Sequence, residues 1–497
     1  MIGLAAAAVA LAVAELVAIL TGPPSSPLVA VGGVVVDNSP ESMTRWAIRV
    51  FGTYDKLVLL LGTLVLLAGF AAVLGILAAR RRWIGLAGLA GFAAIGVAAA
   101  LTRHEAPLTA ALPTLVGALA GGTAFLFLDV RRRGDNRAPD RVAEGPRRRE
   151  VLTAAGVLIA GATVVGFGGR WIATRRGVSQ ARAAVDLPAP VDPAPPVPAA
   201  ADLSVPEVTR YVTGNRDFYR IDTALVAPQV DPETWELRIH GRVRNPYTIT
   251  FAELLERPMI ERYITLACVS NEVGGDLIGN ARWLGTPVQE LIEAAEPLPG
   301  ADQVVSRSVD GWTCGTPLSV LTDGRDALLA IGMNGEPLPV EHGFPVRMVV
   351  PGLYGYVSAC KWITELELSS FDDYDAYWVQ RGWAGQAPIK TQSRIDTPRR
   401  RANAGTVVVA GVAWAQHRGI ERVEVRVDGG EWQLARLADA VSADTWRLWS
   451  WQWQATPGRH RLAVRATDAT GEVQPAEPLP PFPDGATGYH TVEIEVS

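Results

Sequence analysis

Cysteine and histidine are scarce in this chain, with three of the first and six of the second in 497 residues. No CxxC or HxxxH spacing accompanies them, which excludes a zinc ribbon and a disulfide-dense scaffold. A GxSxG nucleophile elbow is missing too, so serine-type hydrolysis has no motif here. Basic residues are not in excess: the formal net charge is −5, and nothing points to nucleic acid. The chain is too long for one core and calls for about three domains.

What is abundant is unevenly placed. Hydrophobic residues make up 48% of the sequence, and the first 175 are rich in Ala, Leu, Val and Gly, while most tryptophans and carboxylates follow residue 200. Five apolar stretches approach the roughly 20 residues needed to cross a bilayer: Ile2–Leu20, Leu57–Ala79, Trp83–Leu101, Ala110–Leu128 and Val151–Gly169. No basic region precedes the first, so it is expected to be a span rather than a signal peptide. Arginines at Arg80–Arg82 and from Arg131 to Arg149 mark the inner loops and place everything after the fifth span outside. Arg103-His104 and Arg45, Arg49 and Lys56 lie in the poorer loops, whereas Arg170, Arg175, Arg176 and Arg182 add charge to the outer side. The run Arg147–Gly169 also reads as an internal twin-arginine export signal. His104 is the one histidine in this half, so paired-histidine haem is not expected in the bundle. Gly85, Gly88 and Gly91 would allow close helix packing.

The expected organisation is a transmembrane region of about five helices at 1–175, a Pro/Ala-rich extended spacer at 176–207, a catalytic domain at 208–390 and a β-rich domain at 391–497. In the third, "WELRIHGRV" and "RYITLAC" alternate as strands, and "TFAELLER" and "TPVQELIEAA" open with Thr and read as helices. In the fourth, short alternating strands with a turn at Asp428–Gly430 predict an immunoglobulin-like sandwich of about 100 residues.

Within this frame one strand delivers Cys268 into a glycine-rich loop, "ACVSNEVGGDLIGNARW". A lone thiol is most often a small buried hydrophobe. Its surroundings point further. Soft thiolate suits a redox metal, and a phosphorylated cofactor needs clustered cations and N–H donors. Arg220 of "DFYRIDTAL", Arg282 of "GNARW", and His342, Arg347 and Lys361 of "EHGFPVRMVVPGLYGYVSACKW" supply them on both sides of Cys268.

These segments, in this order over roughly residues 205–497, resemble the sulfite oxidase family of molybdopterin enzymes; the block "MNGEPLPVEHGFPVRMVVPG" is the most specific. The resemblance implies an α+β fold holding molybdenum–molybdopterin, with Cys268 as the metal's thiolate and Arg220 near the metal. It implies cofactor contacts from Arg220, Asn271, Arg282, His342, Arg347 and Lys361, and a homodimer through the C-terminal domain. Two features depart from the family: Ile331 stands where a tyrosine is expected, and Glu272-Val273 where an arginine is expected. A tryptophan-bearing insertion before "GNARW" is also missing. A carboxylate near the metal disfavours an anion, so the cofactor site is retained more clearly than the sulfite site.

The expected function is two-electron oxo transfer on a small S- or N-oxyanion or oxide by a membrane-anchored, extracytoplasmic enzyme with a separate electron carrier. The rivals are a sulfoxide-type reductase and a non-enzymatic surface protein using the sandwich. Cys314 and Cys360 flank the matching block and could pair if their Cα atoms come within about 7 Å; two ordinary buried thiols is the plainer expectation.

Overall fold

The computed structural model describes residues 1–22, 25–39, 43, 50–51, 55–102, 106–134, 153, 156, 157, 160, 161 and 178–497. The chain divides into two compact units, one of residues 1–180 with Thr223–Gln229, the other of Ala181–Asp222 and Val230–Ser497.

The first unit is helical: α1 Ile2–Thr21, α2 Pro27–Asp37, α3 Asp55–Arg80, α4 Arg82–Leu101 and α5 Leu112–Gly134. Among the described residues four helices are long and apolar enough to cross a membrane, all but the short α2. They match the first four expected spans. The fifth, Val151–Gly169, and the charged positions Arg45, Arg49, Arg103, His104, Arg137–Arg149, Arg170, Arg175 and Arg176 lie largely or wholly outside the described residues. Small residues let the backbones approach, as expected for helices that gain nothing from excluding water. A Cβ on Gly117 or Gly121 of α5 would come within 2.4 or 2.7 Å of α1 at Ala10. Gly85 and Gly88 do the same against Phe125 and Leu74, but Gly91 faces open space. Thr223–Gln229 groups with these helices, and Lys56 Nζ donates to the Ala224 carbonyl (2.7 Å).

The second unit starts with a surprise in the Pro/Ala-rich stretch. Its proline content does enforce an extended chain, but the chain is a strap packed on the domain rather than a free spacer. Val191 N donates to Met259 O (2.8 Å), Glu261 N to Asp192 O (2.9 Å), and Ala201 is wholly buried. Val185, Leu187 and Val197 pack on the core, so the apolar residues between the prolines join it.

Two sheets follow. One has the order β2-β1-β10-β5-β6 (β1 Glu236–Gly241, β2 Tyr247–Thr250, β5 Gln303–Ser308, β6 Thr313–Pro317, β10 Ile363–Ser369), with β1 parallel to β10 and the rest antiparallel. The other runs β3-β4-β7-β8 (β3 Ile260–Ala267, β4 Ile278–Pro287, β7 Leu328–Met333, β8 Glu336–Pro337), with β9 Arg347–Val349 also paired to β7. Helices α6 Phe251–Leu255 and α7 Val288–Ala295 cover them. Thr250 opens α6 through a full capping box with Glu253, satisfying two orphan amides. Thr286 does not open α7: it is buried in β4, and Pro287, with φ already fixed, takes the N-cap.

The C-terminal part forms two further sheets, β11-β13-β17-β16 and β12-β19-β18-β14-β15. Their strands are β11 Gln392–Thr397, β12 Arg401–Ala402, β13 Gly405–Trp414, β14 Ile420–Val427, β15 Gln433–Leu434, β16 Arg436–Leu437, β17 Arg447–Ala455, β18 Gly458–Asp468 and β19 His490–Val496. The turn at Asp428-Gly429 has both residues at positive φ (52° and 75°), the geometry that matches strand twist. Val409, Val423, Trp449, Val464 and Ile494 share one core. Val412, Trp414, Trp446 and Leu448 belong instead to the α+β core, so β13 and β17 bury side chains in both.

Trp449 has no exposed surface. Trp449→Ala should therefore lower stability by about 3–5 kcal/mol through the cavity it leaves, read from the urea midpoint. An unshifted midpoint would show that the two C-terminal sheets do not share the core described.

Candidate functional site

Cys268 follows β3 directly, where β3 and β4 part after the Ala267/Ile278 pair. The loop that follows is closed by its own backbone: Cys268 N donates to Leu277 O (2.9 Å) and Asn271 N to Cys268 O (3.1 Å). Asn271 is buried, and its Oδ1 accepts from Leu277 N (2.9 Å). Its visible role is thus to shape the loop, not to reach outward. Gly274 is at φ 78°, and a Cβ there would sit 2.2 Å from the His490 ring. The thiol itself is half-buried, 2.9 Å from Ser270 Oγ. Burial pushes its pKa up, and Ser270 and Lys361 pull it partly back.

The cations converge on one carboxylate. Arg220 Nε and Lys361 Nζ both donate to Asp222 Oδ2 (2.9 Å each). Lys361 bridges Arg347 across an isolated antiparallel pair, and Gly343, at φ 111°, lies against both side chains. Arg347 is buried, with Nη1 donating to His342 O (3.1 Å) and its guanidinium 5.1 Å from the Trp283 ring. Burial lowers the pKa of Arg347 to about 10 and that of Lys361 to about 8, with Arg347 and Arg220 adding to the latter and Asp222 opposing it. His342 is pushed down to about 4 by burial and by Arg347, so it is neutral at pH 7; its Nε2 is 3.0 Å from Asn215 O. Tyr219 also points here: burial raises its pKa, and both Cys268 and Arg347 act on it.

Asp222 pairs with Arg220 and Lys361, while the buried Arg347 has no carboxylate ion pair among the described residues. A buried charge without a counter-ion is costly as a structural device alone. Arg347 and its neighbours fit an anionic ligand, and the phosphate and pterin of a molybdopterin match that need, with the half-buried thiol as the soft donor.

The structure thus brings together Cys268, Arg220, His342, Arg347 and Lys361. Arg282 stands apart, its Nε 3.2 Å from Glu261 Oε1 and its amide donating to Asn334 Oδ1 (2.9 Å). It borders a cleft of about 540 Å³ lined by Gly214, Asn215, Arg216, Asn334 and Gly335. Ile331 is buried on β7. Glu272 is exposed on the cysteine loop, where it was expected. Asp222 and Tyr219 were overlooked although they flank Arg220 in the same short segment. Cys314 and Cys360 are both free and fully buried, and burial drives the Cys360 thiol well up.

The C-terminal sheets grip the cysteine segment. Arg394 donates to Gly275 O (2.7 Å), Thr209 Oγ1 (2.8 Å) and Asp396 Oδ1 (2.7 Å). Thr265 on β3 donates its amide to Asp444 O (2.9 Å), and its Oγ1 accepts from Trp446 N (2.8 Å). His490 Nδ1 accepts from Ile395 N (2.9 Å), which fixes the ring that Gly274 rests on.

Comparison with known proteins agrees with this chemistry. Residues 224–378 match the family model "Oxidoreductase molybdopterin binding domain" and residues 387–496 match "Mo-co oxidoreductase dimerisation domain". Sulfite oxidase of Gallus gallus is 30% identical over 325 residues, 54% of this chain and 70% of that protein. Mitochondrial sulfite oxidase of Homo sapiens is 30% identical over 316 residues, 53% of this chain and 57% of that protein. The chain therefore spans little more than half the length of the human protein. The sulfane dehydrogenase SoxCD of Paracoccus pantotrophus shares the fold, with TM-score 0.51 at 23% identity over 58% of this chain and 84% of that one.

His490 carries a testable consequence. Burial and Arg394 lower its pKa to about 4, against the smaller opposing pull of Asp396. The unfolded chain then binds a proton that the folded one refuses. Stability is full above about pH 6.5 and falls by about 3 kcal/mol as pH drops to about 4. His490→Gln should flatten that limb of the pH–stability curve; a limb unchanged in the variant would assign the acid loss elsewhere.

Proposed function

The chain belongs to the sulfite oxidase family of molybdopterin-dependent oxidoreductases, and from that premise we propose that it is a membrane-anchored enzyme transferring an oxygen atom and two electrons to or from a small S- or N-oxyanion or oxide. Its cofactor is molybdenum–molybdopterin. When bound, that group supplies the redox chemistry, cycling between Mo(VI) and Mo(IV). The chain's own residues hold and tune it. Cys268 is the thiolate ligand, kept in place by the loop bonds at Asn271 and Leu277. Lys361 and Arg347 hold the cofactor's anionic groups, neutral His342 offers a ring nitrogen beside them, and Arg282 extends the set along the cleft. Arg220, whose side chain is 40% exposed, presents positive charge on the side open to substrate, and Asp222 orients it.

Four apolar helices anchor the protein, and the reading places the catalytic part on the extracytoplasmic side, reached through the twin-arginine-like run at Arg147–Gly169. Domain limits of 208–390 and 391–497 follow the same reading. The C-terminal part serves as an immunoglobulin-like dimerisation domain, and a separate carrier exchanges electrons with the enzyme. The observation that carries the proposal is the half-buried thiol in one site with the buried Lys361 and with the buried Arg347, which has no carboxylate ion pair among the described residues.

Molybdenum and pterin per chain test it, on full-length protein from a host that loads other molybdenum enzymes. Near one of each is expected, with metal lost in Cys268→Ala. Lys361→Met should weaken pterin retention by about 10- to 100-fold, as for one charge-assisted hydrogen bond. Metal-free wild-type protein from such a host would end the proposal.

A further inference from the structure

Asp222 is the last residue of its segment to belong to the catalytic unit; Thr223–Gln229, which follow it directly, group with the helices. Its Oδ2 accepts from Arg220 and from Lys361 (2.9 Å each), and its side chain is only 4% exposed. A carboxylate that orients two cations has to be held still itself. The local backbone does not hold it. From Tyr219 to Val230 no backbone–backbone hydrogen bond is made among the described residues. An irregular segment without such bonds has little rigidity of its own.

The hold comes from the residues that follow. Leu225 lies against Gly32 of α2, in a hole that exists because glycine has no side chain. A Cβ on Gly32 would come within 2.8 Å of Leu225 Cδ1 and 3.9 Å of Leu60 Cδ2, on α3. Gly32 is buried. One residue before Leu225, the Ala224 carbonyl accepts from Lys56 Nζ in the first turn of α3 (2.7 Å), and Ala224 is buried too. Pro228 is buried, and Gln229 Nε2 closes back on Ala227 O (3.0 Å). A side chain in a hole and a charge-assisted bond to the backbone therefore fix one dipeptide from two directions.

A tether would need neither feature. The chain already passes from the helical unit to the catalytic unit at Gln180-Ala181, so the return of Thr223–Gln229 to the helices adds nothing to anchoring. What it adds is a fixed point next to Asp222. From Asp222 to Leu225 the chain can reach no more than about 11 Å, and few bonds lie between to absorb a shift.

We propose that Leu225 and Lys56 are positioning residues for the oxo-transfer site: by seating Thr223–Gln229 on α2 and α3 they hold Asp222, and through Asp222 they orient Arg220 and Lys361. The inference rests on the functional reading above and extends it, because the apolar helices then do more than anchor. Displacing the seat loosens the carboxylate, and with it the cation that faces substrate and the one that holds the cofactor's anionic group.

Hydrogen exchange on the full-length protein in detergent, with extracted pterin measured alongside, tests the proposal. Leu225→Ala empties the hole, Gly32→Leu fills it from the helix side, and Lys56→Met removes the donor. In each, the peptide 218–224 should exchange at least about fivefold faster, while the Cys268 loop keeps its rate. Pterin retention should fall about 3- to 10-fold, and Leu225→Met and Lys56→Arg should restore both readouts. If the seat acts through Asp222, adding Leu225→Ala to Asp222→Asn should cost no further retention. Additive losses, or a lowered melting temperature with unmoved exchange at 218–224, would reduce these contacts to helix packing and overturn the inference. Loaded protein whose exchange and retention ignore all three variants keeps the functional reading and loses this one. Metal-free wild-type protein defeats the functional reading, while the exchange arm still decides whether the seat holds Asp222.

Discussion

One carboxylate mediates between the cations of the site. Asp222 accepts from Arg220 and from Lys361 through the same oxygen, and Lys361 is bridged to the deeply buried Arg347. Desolvation opposes each of the buried charges, and their mutual repulsion adds to it. Gly343, at a φ that a side chain would resist, leaves room for Arg347 and Lys361 to lie against the turn. The neutrality of His342 belongs to the same balance, since a third buried positive charge beside Arg347 would be costlier than an uncharged ring accepting or donating one hydrogen bond.

The thiol depends on a second constraint, imposed by residues far along the chain. A strand end and a glycine loop have little rigidity of their own. Here the strand is held on one side by β4 and on the other by Asp444 and Trp446, while the loop lies between Arg394 and His490. The C-terminal sheets therefore do more than add surface. They fix where Cys268 points, because β13 and β17 share side chains with the catalytic core.

The sequence made much of this legible, and for a physical reason. Cys268 sits at the end of an alternating strand, and His342, Arg347 and Lys361 fall in one continuous stretch, so local pattern was enough to find them. Asp222 lies within the quoted segment around Arg220, but its value comes from Lys361, 139 residues away, and no local rule reports that. The Pro/Ala strap shows the same limit: composition predicts extension, not what the extended chain will lie against. The seat of Leu225 was invisible because Gly32, Lys56 and Leu225 come from three segments that only the fold brings together.

These constraints together couple folding to cofactor loading. Without an anion Arg347 stays buried with no carboxylate ion pair among the described residues, and an anionic ligand that binds the folded state alone adds RT ln(1 + [L]/Kd) to its stability.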